Sequence, residues 1–238
     1  MLWRWGRVSD LLIYDVGGCE GCPLSILRVL PQLEERVHVS SKALGNLSLS
    51  RDYDYAVITG SACINEERVT SIIRRIREKA KVLIAYGSCA SVGGITLFCR
   101  GGQRPRPEHR TFLPISSVVE VDYAIPGCPP NPTLLVNLLD SLEGEGGSRS
   151  KYFLSLFSRV AKEKKLSGFD LMDEIVLSGL CIGCGACVLS CPAHALHMVE
   201  GKPDLMPEKC IRCGTCCVRC PRFTQLLLRR PALSRGVV

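Results

Sequence analysis

Two four-cysteine runs near the C-terminal end constrain this chain more than any other feature. The first is Cys181-Ile-Gly-Cys184-Gly-Ala-Cys187-Val-Leu-Ser-Cys191-Pro192; the second is Cys210-Ile-Arg-Cys213-Gly-Thr-Cys216-Cys217-Val-Arg-Cys220-Pro221. Both read C-x2-C-x2-C-x3-C-P, the spacing at which thiolates hold cubane [4Fe–4S] clusters, with the fourth cysteine of each run serving the other run's cluster. By that rule Cys181, Cys184, Cys187 and Cys220 form one set, and Cys191, Cys210, Cys213 and Cys216 the other. A pair of zinc knuckles would close with four ligands each and has no use for the repeated Cys-Pro ending. Cys217 has no slot in the pattern and is expected to be a bystander.

The N-terminal half adds a third set, placed by strand ends instead of by one run. Residues 8–16, 54–59, 81–86 and 118–125 read as buried strands, and each gives way to glycine or Pro-Gly. Helices are expected over 23–34, 66–79 and 132–142, with Pro23 at the start of the first, and acids opening and bases closing the second. Strand, glycine, loop, helix, repeated, is the pattern of a doubly wound α/β domain with a parallel, flavodoxin-like sheet. Ligands of such sheets bind beyond the carboxyl ends of the strands. Cys19 and Cys22, Cys89, and Cys128 each fall just past a strand end, so three loops converge to enclose a third cluster. Spacing alone leaves the ligand set open. Cys63 follows a strand in the same way, and Glu66 is a carboxylate placed to substitute for a thiolate. Cys99 reads as a spare thiol.

The chain has 238 residues, fifteen of them cysteine, and 46% hydrophobic content, enough for one ordinary domain and a small one. An odd cysteine count in C-x2-C repeats points to metal in a reducing compartment, not to a secreted disulfide framework. No run of about 18 apolar residues appears, so no membrane span is expected. The first residues show neither an apolar signal core nor a twin-arginine pair, which makes a cytoplasmic location the expectation. The formal charge is +7. Each oxidised cluster with its four thiolates carries about −2, so three clusters bring the holoprotein to about +1. The basic excess therefore gives no reason to expect nucleic-acid binding.

Boundaries follow from composition: a first domain over 1–148 ending in the linker Gly144–Ser150, a helical connector over 149–179, the two-cluster ferredoxin domain over 180–222, and a tail over 223–238. Helices are expected over 151–165 and 170–179. His38, His109, His194 and His197 stand in no metal spacing, although His194 follows a cluster cysteine closely enough to hydrogen-bond its surroundings. The turn-rich basic stretch 100–110 is either a docking loop for an acidic partner or a solvated one.

With these residues in place, the chain resembles the small subunits of nickel–iron hydrogenases, and particularly the gamma subunits of archaeal deazaflavin-reducing (factor 420) hydrogenases. The markers are Gly-Cys19-Glu-Gly-Cys22, Gly60-Ser-Ala-Cys63, Gly87-Ser-Cys89-Ala, Arg100-Gly-Gly-Gln103, Ile125-Pro-Gly-Cys128-Pro-Pro and the two ferredoxin runs. The related complex I quinone-reductase subunit has adjacent cysteines where this chain has Cys19-x-x-Cys22, and lacks the attached ferredoxin. Exported hydrogenase small subunits carry a twin-arginine signal and a different C-terminal domain.

The resemblance implies an electron-transfer role with three [4Fe–4S] clusters in this chain. The proximal one is held by Cys19, Cys22, Cys89 and Cys128; since an acidic residue completes it in some members, Glu66 is the suspect here. A separate large (alpha) subunit would hold the nickel–iron centre and split hydrogen. A flavin-bearing (beta) subunit with FAD would pass hydride to the deazaflavin. This chain holds no second cysteine pair of the nickel-binding type, and no catalytic residue is expected in it. Other acceptors, such as a heterodisulfide reductase or a viologen-type acceptor, a nickel-free oxidoreductase, and a non-enzymatic redox sensor are the competing readings.

Overall fold

Each turn from strand to helix in the N-terminal half is made where an apolar run meets glycine, and the strands so delimited pair in parallel. The computed structural model describes residues 9–35, 37–93, 112–144, 148–163 and 166–229. Strand β1 (Ser9–Asp15) leads through the Cys19 loop to helices α1 (Gly21–Leu27) and α2 (Leu30–Glu34), then to β2 (Val37–Ser41). Next come β3 (Tyr53–Thr59), the short β4 (Ala62–Cys63), helix α3 (Glu67–Lys79), β5 (Ala80–Tyr86) and helix α4 (Ser88–Val92). The short β6 (Phe112–Leu113), β7 (Tyr123–Ile125) and helix α5 (Thr133–Leu142) complete this part.

The main sheet has the order β2-β1-β3-β5-β7, all parallel. Counting only its own strands, that is 2-1-3-4-5, the flavodoxin-like doubly wound order. Ala56, Val57 and Ile58 of β3 and Leu83 and Ile84 of β5 are wholly buried, because helices cover both faces. This is why those strands are apolar without alternation. The short β4 and β6 pair separately and antiparallel.

Three features of the first domain depart from the sequence expectations, and beyond it residues 223–229 of the expected tail lie in a helix, Pro221–Arg229, with Phe223 and Leu227 buried. The helix expected over 23–34 is two helices, α1 and α2, with the break before Pro31, whose ring would collide with the carbonyl four residues back in a continuous helix. Strand β2 has no counterpart among the expected strands; it is an edge strand of five residues directly after a charged stretch. The strand expected over 118–125 is only Tyr123–Ile125, preceded by a 3-10 turn at Ile115–Ser117. There the backbone N–H groups of Val118 and Val119 both donate to the Ile115 carbonyl, at 3.0 and 3.2 Å, and so leave the ladder.

Helix α6 (Ser148–Lys162) packs against β7 and α5. Helix α7 (Gly168–Leu171) opens with Ser167, whose hydroxyl accepts the Asp170 N–H at 3.4 Å, and runs into a π-helical turn at Met172–Val176. The cysteine-rich segment contains α8 (Ala186–Leu189), the hairpin β8 (Leu196–Val199) and β9 (Lys202–Leu205), α9 (Thr215–Arg219) and α10 (Pro221–Arg229). The hairpin turn Glu200-Gly201 has φ of 46° and 78°, the two left-handed residues of a tight hairpin. Phe157 and Val160 of α6 belong to the same buried cluster as Phe223 and Leu227 of α10, so the two parts share one core. Among the described residues no helix is long and apolar enough to cross a membrane.

Candidate iron–sulfur sites

The first site lies beyond the carboxyl ends of β1, β5 and β7. Cys19 is exposed, Cys22 and Cys128 half-buried, and Cys89 buried. Burial pushes the Cys22 thiol up to about 12, and the next influences on it are Cys89, Cys128 and Cys19, followed by Asp15. Three separate loops therefore bring the four expected cysteines within electrostatic reach of one another.

Gly87 makes that approach possible. It has φ 96° and ψ 159°, and a Cβ there would run into the Cys22 sulfur. Its N–H donates to the Ile125 carbonyl at 2.9 Å, tying the end of β5 to β7. A buried polar network with no signature in the sequence braces the same loops. The Ser25 hydroxyl donates to the Cys22 carbonyl at 2.9 Å and, with its proton so used, accepts from the Tyr86 hydroxyl at 2.9 Å. The Pro130 carbonyl lies 3.3 Å from the same tyrosine oxygen. Burial raises the Tyr86 phenol to about 12, so it stays a neutral donor.

Cys63 is half-buried in β4, and Glu66 is exposed at the start of α3. Neither is among the main influences on Cys22. Glu66 instead faces an open recess with an empty volume of about 540 Å³, walled by Tyr14, Asp15, Val16, Arg68, Val69 and Ile72 and by no cysteine.

The second and third sites interlock. Cys181, Cys184, Cys187 and Cys220 line one small pocket, with Leu171 and Ile175 behind them. Cys191, Cys210, Cys213 and Cys216 line another. These are the exchanged groupings the spacing predicts. Burial and the neighbouring thiols Cys216 and Cys220 push Cys187 up to about 11. Burial likewise pushes Cys213 to about 11, against a lowering hydrogen bond from Thr215, with Cys216 and Cys128 adding to the rise.

The two runs repeat one backbone shape. Gly183 and Arg212, each just before the second cysteine of its run, have φ of 69° and 50°; Gly185 and Gly214, each just after it, have 69° and 75°. These left-handed turns bend the chain around the sulfurs. The Gly183 N–H donates to the Cys181 sulfur at 3.4 Å, and the Ala195 N–H to the Cys191 sulfur at 3.2 Å.

All three sets suit a cluster. Each set contains thiols that burial raises, Cys22 in the first, Cys187 and Cys220 in the second and Cys210 and Cys213 in the third, and a cationic iron core offsets the cost of ionising them together. Among the described residues no three His, Cys, Asp or Glu side chains are drawn together tightly enough to hold a single metal ion. A closed zinc site needs four ligands about 2.0–2.3 Å from one point, whereas a cubane meets its four thiolates at four separate irons and spreads them wider.

Cys217 lines neither cavity; it is fully buried and its thiol donates to the Ser167 carbonyl at 3.3 Å. The His194 ring is exposed, and it is the backbone N–H of this residue that donates to the Cys191 carbonyl, at 3.2 Å. His38 is exposed, and His197 lies 3.8 Å from Asp204. Cys99, His109 and the basic stretch 100–110 lie outside the described residues.

Both halves of the chain are similar to known proteins. Residues 19–142 match the family model of the NADH ubiquinone oxidoreductase 20 kDa subunit, and residues 174–221 match a 4Fe–4S dicluster domain. The gamma subunit of a coenzyme F420 hydrogenase from Methanosarcina barkeri is 35% identical over 79% of this chain and 77% of its own length. The corresponding gamma subunit from Methanococcus voltae is 35% identical over 79% and 85%. A subunit of the vhu F420-non-reducing hydrogenase from Methanococcus voltae is 32% identical over 54% of this chain and 55% of its own. The chain belongs to the family of coenzyme F420 hydrogenase gamma subunits, with the 20 kDa-subunit fold in its first half and a 4Fe–4S dicluster domain in its second.

Proposed function

We propose that this chain is the electron-transfer subunit of a nickel–iron hydrogenase, with three [4Fe–4S] clusters between a hydrogen-splitting large (alpha) subunit and a flavin-bearing (beta) subunit that reduces the deazaflavin F420. Cys19, Cys22, Cys89 and Cys128 would hold the proximal cluster. Cys181, Cys184, Cys187 and Cys220 would hold one ferredoxin cluster, and Cys191, Cys210, Cys213 and Cys216 the other. When bound, the clusters supply one-electron redox chemistry; nickel and FAD belong to the partner subunits. A cytoplasmic location is part of the same reading.

The observation that carries the proposal is the order of the three thiol sets in space. The Ser88 hydroxyl, next to Cys89 of the first site, donates to the Cys213 carbonyl of the second ferredoxin set at 2.6 Å, and α8, which carries Cys187 of the remaining set, packs against α9, which carries Cys216. The two ends of this series reach the surface, at Cys19 and at Cys184. A series of redox sites buried in its middle and exposed at both ends suits a conductor between two partners. Around Cys184, Leu177, Leu180 and Ile182 are exposed apolar side chains at the far end.

This chain's residues contribute placement and potential, and no bond chemistry. The N–H donors to the Cys181 and Cys191 sulfurs stabilise negative charge there, one of the factors that set cluster potential. The resemblance to a component of an F420-non-reducing hydrogenase favours a second reading, the same relay feeding a different acceptor. The test is hydrogen-driven reduction by the natively purified complex, with F420 in one arm and a viologen in the other. Reduction of both supports the proposal. Reduction of the viologen alone assigns another acceptor, and reduction of neither removes the hydrogenase role.

A further inference from the structure

Ser88 joins the two halves of the molecule through its hydroxyl. It is only 2% exposed. Its Oγ donates to the Cys213 backbone carbonyl at 2.6 Å, across 125 residues of sequence. The same oxygen accepts from the Gly127 N–H at 3.2 Å, and the Ser88 N–H donates to the Gly127 carbonyl at 2.8 Å. Ser88 precedes Cys89, Gly127 precedes Cys128, and Cys213 is itself one of the second ferredoxin set. One hydroxyl, on the residue before Cys89, is thus bonded to backbone beside Cys128 of the first site and at Cys213 of the second ferredoxin set.

Ser71 and Ser141 return the hydroxyl to their own helices, to Arg68 at 2.9 Å and Asn137 at 2.6 Å. Ser88 sends its hydroxyl across the junction instead. The junction is tight there: a Cβ on Gly214 would meet Leu166 at 3.1 Å and the Pro126 side chain at 3.4 Å. In the Cys181 set, by contrast, the backbone bond to sulfur stays within one run, from Gly183 to Cys181.

We propose that Ser88 is a positioning residue that fixes the Cys191/Cys210/Cys213/Cys216 site against the Cys19/Cys22/Cys89/Cys128 site and makes those two the adjacent redox pair. This rests on the reading that both hold clusters. An electron crossing the junction oxidises the first site by one unit and reduces the second by one; no proton moves and no bond breaks. The bonded path from the Cys89 and Cys128 loops to Cys213 passes through the serine oxygen. Removing the hydroxyl leaves the buried Gly127 N–H unpaired and lets the two loops drift apart.

The experiment compares Ser88→Ala, Ser88→Thr and Ser88→Val in the complex purified without oxygen. Threonine and valine have nearly the same shape, and only threonine keeps the hydroxyl. The first readout is spin–spin coupling between clusters reduced chemically with dithionite, seen by electron paramagnetic resonance. The second is the rate at which ferredoxin-cluster signals appear after mixing with hydrogen. The alanine and valine variants are expected to lose coupling and to slow by roughly threefold or more, with threonine close to wild type. If alanine sheds iron, the threonine–valine pair decides. Threonine and valine behaving alike, or alanine matching wild type in both readouts, overturns the proposal. A wild-type complex whose clusters couple under dithionite but stay oxidised under hydrogen would sink the hydrogenase reading instead and leave the Ser88 test standing.

Discussion

Gly87→Ala puts the geometry of the first site under direct strain. Gly87 occupies φ 96° and ψ 159°, a region open essentially to glycine alone. Holding alanine there costs about 1–3 kcal/mol. The added Cβ would also collide with the Cys22 sulfur, and overpacking a buried contact costs about 1–3 kcal/mol more. The combined penalty of roughly 2–6 kcal/mol is a large share of the stability of an ordinary domain, about 5–15 kcal/mol. The structure relieves it most readily by moving Cys22, because that sulfur sits at the front of the collision. The variant should therefore lose about four of about twelve irons while the ferredoxin clusters keep their spectra. Gly45→Ala is the control: φ is 70° with open space around the added carbon, so it should cost only the backbone part, about 1–2 kcal/mol, with all iron retained. Iron analysis, cluster spectroscopy and urea unfolding of both variants decide it. A Gly87→Ala protein with full iron and an unchanged unfolding midpoint would refute the reasoning.

Cys89→Ser should remove the first cluster and bring hydrogen-driven acceptor reduction to background while leaving the two ferredoxin clusters spectroscopically intact; loss of all three signals would mean that the two parts, which share a core, fold as one unit. Tyr86→Phe deletes the proton donated to Ser25 and should lower stability by about 0.5–1.5 kcal/mol, read as a shift in urea midpoint at constant slope. Glu66→Gln should leave iron content and cluster spectra unchanged, since the Glu66 recess holds no cysteine; loss of about four irons would make Glu66 a ligand in place of one thiolate.

Much of this arrangement is legible in the sequence because local rules carry it. Cys181 to Cys220 follow one repeated spacing, and the left-handed turns that bend each run are written in the sequence at Gly183, Gly185 and Gly214. The first site is readable because glycine punctuates the ends of β1 and β5 and Pro-Gly the end of β7, and parallel strands must present those ends on one edge. What stays hidden depends on partners far away in sequence. Ser88 lies 125 residues from the carbonyl it binds, and nothing near it distinguishes it from any serine at a helix start. Tyr86 reads as the last apolar position of a strand, and only its contacts to Ser25 and Pro130 show the use of its hydroxyl. Strand β2 is hard to read because an edge strand of five residues carries little periodicity. Cys217, without a place in the cluster pattern, proves to be a fully buried core residue.

The most direct test of the central claim is a count of iron and nickel in the complex purified natively without oxygen. Three clusters in this chain predict about twelve irons per copy, with nickel in a co-purifying large subunit. About eight irons attributable to this chain would leave the Cys19 site without a cluster and break the proposed series. Full iron with no nickel in an otherwise intact complex would contradict the hydrogenase role and place the chain in a nickel-free oxidoreductase.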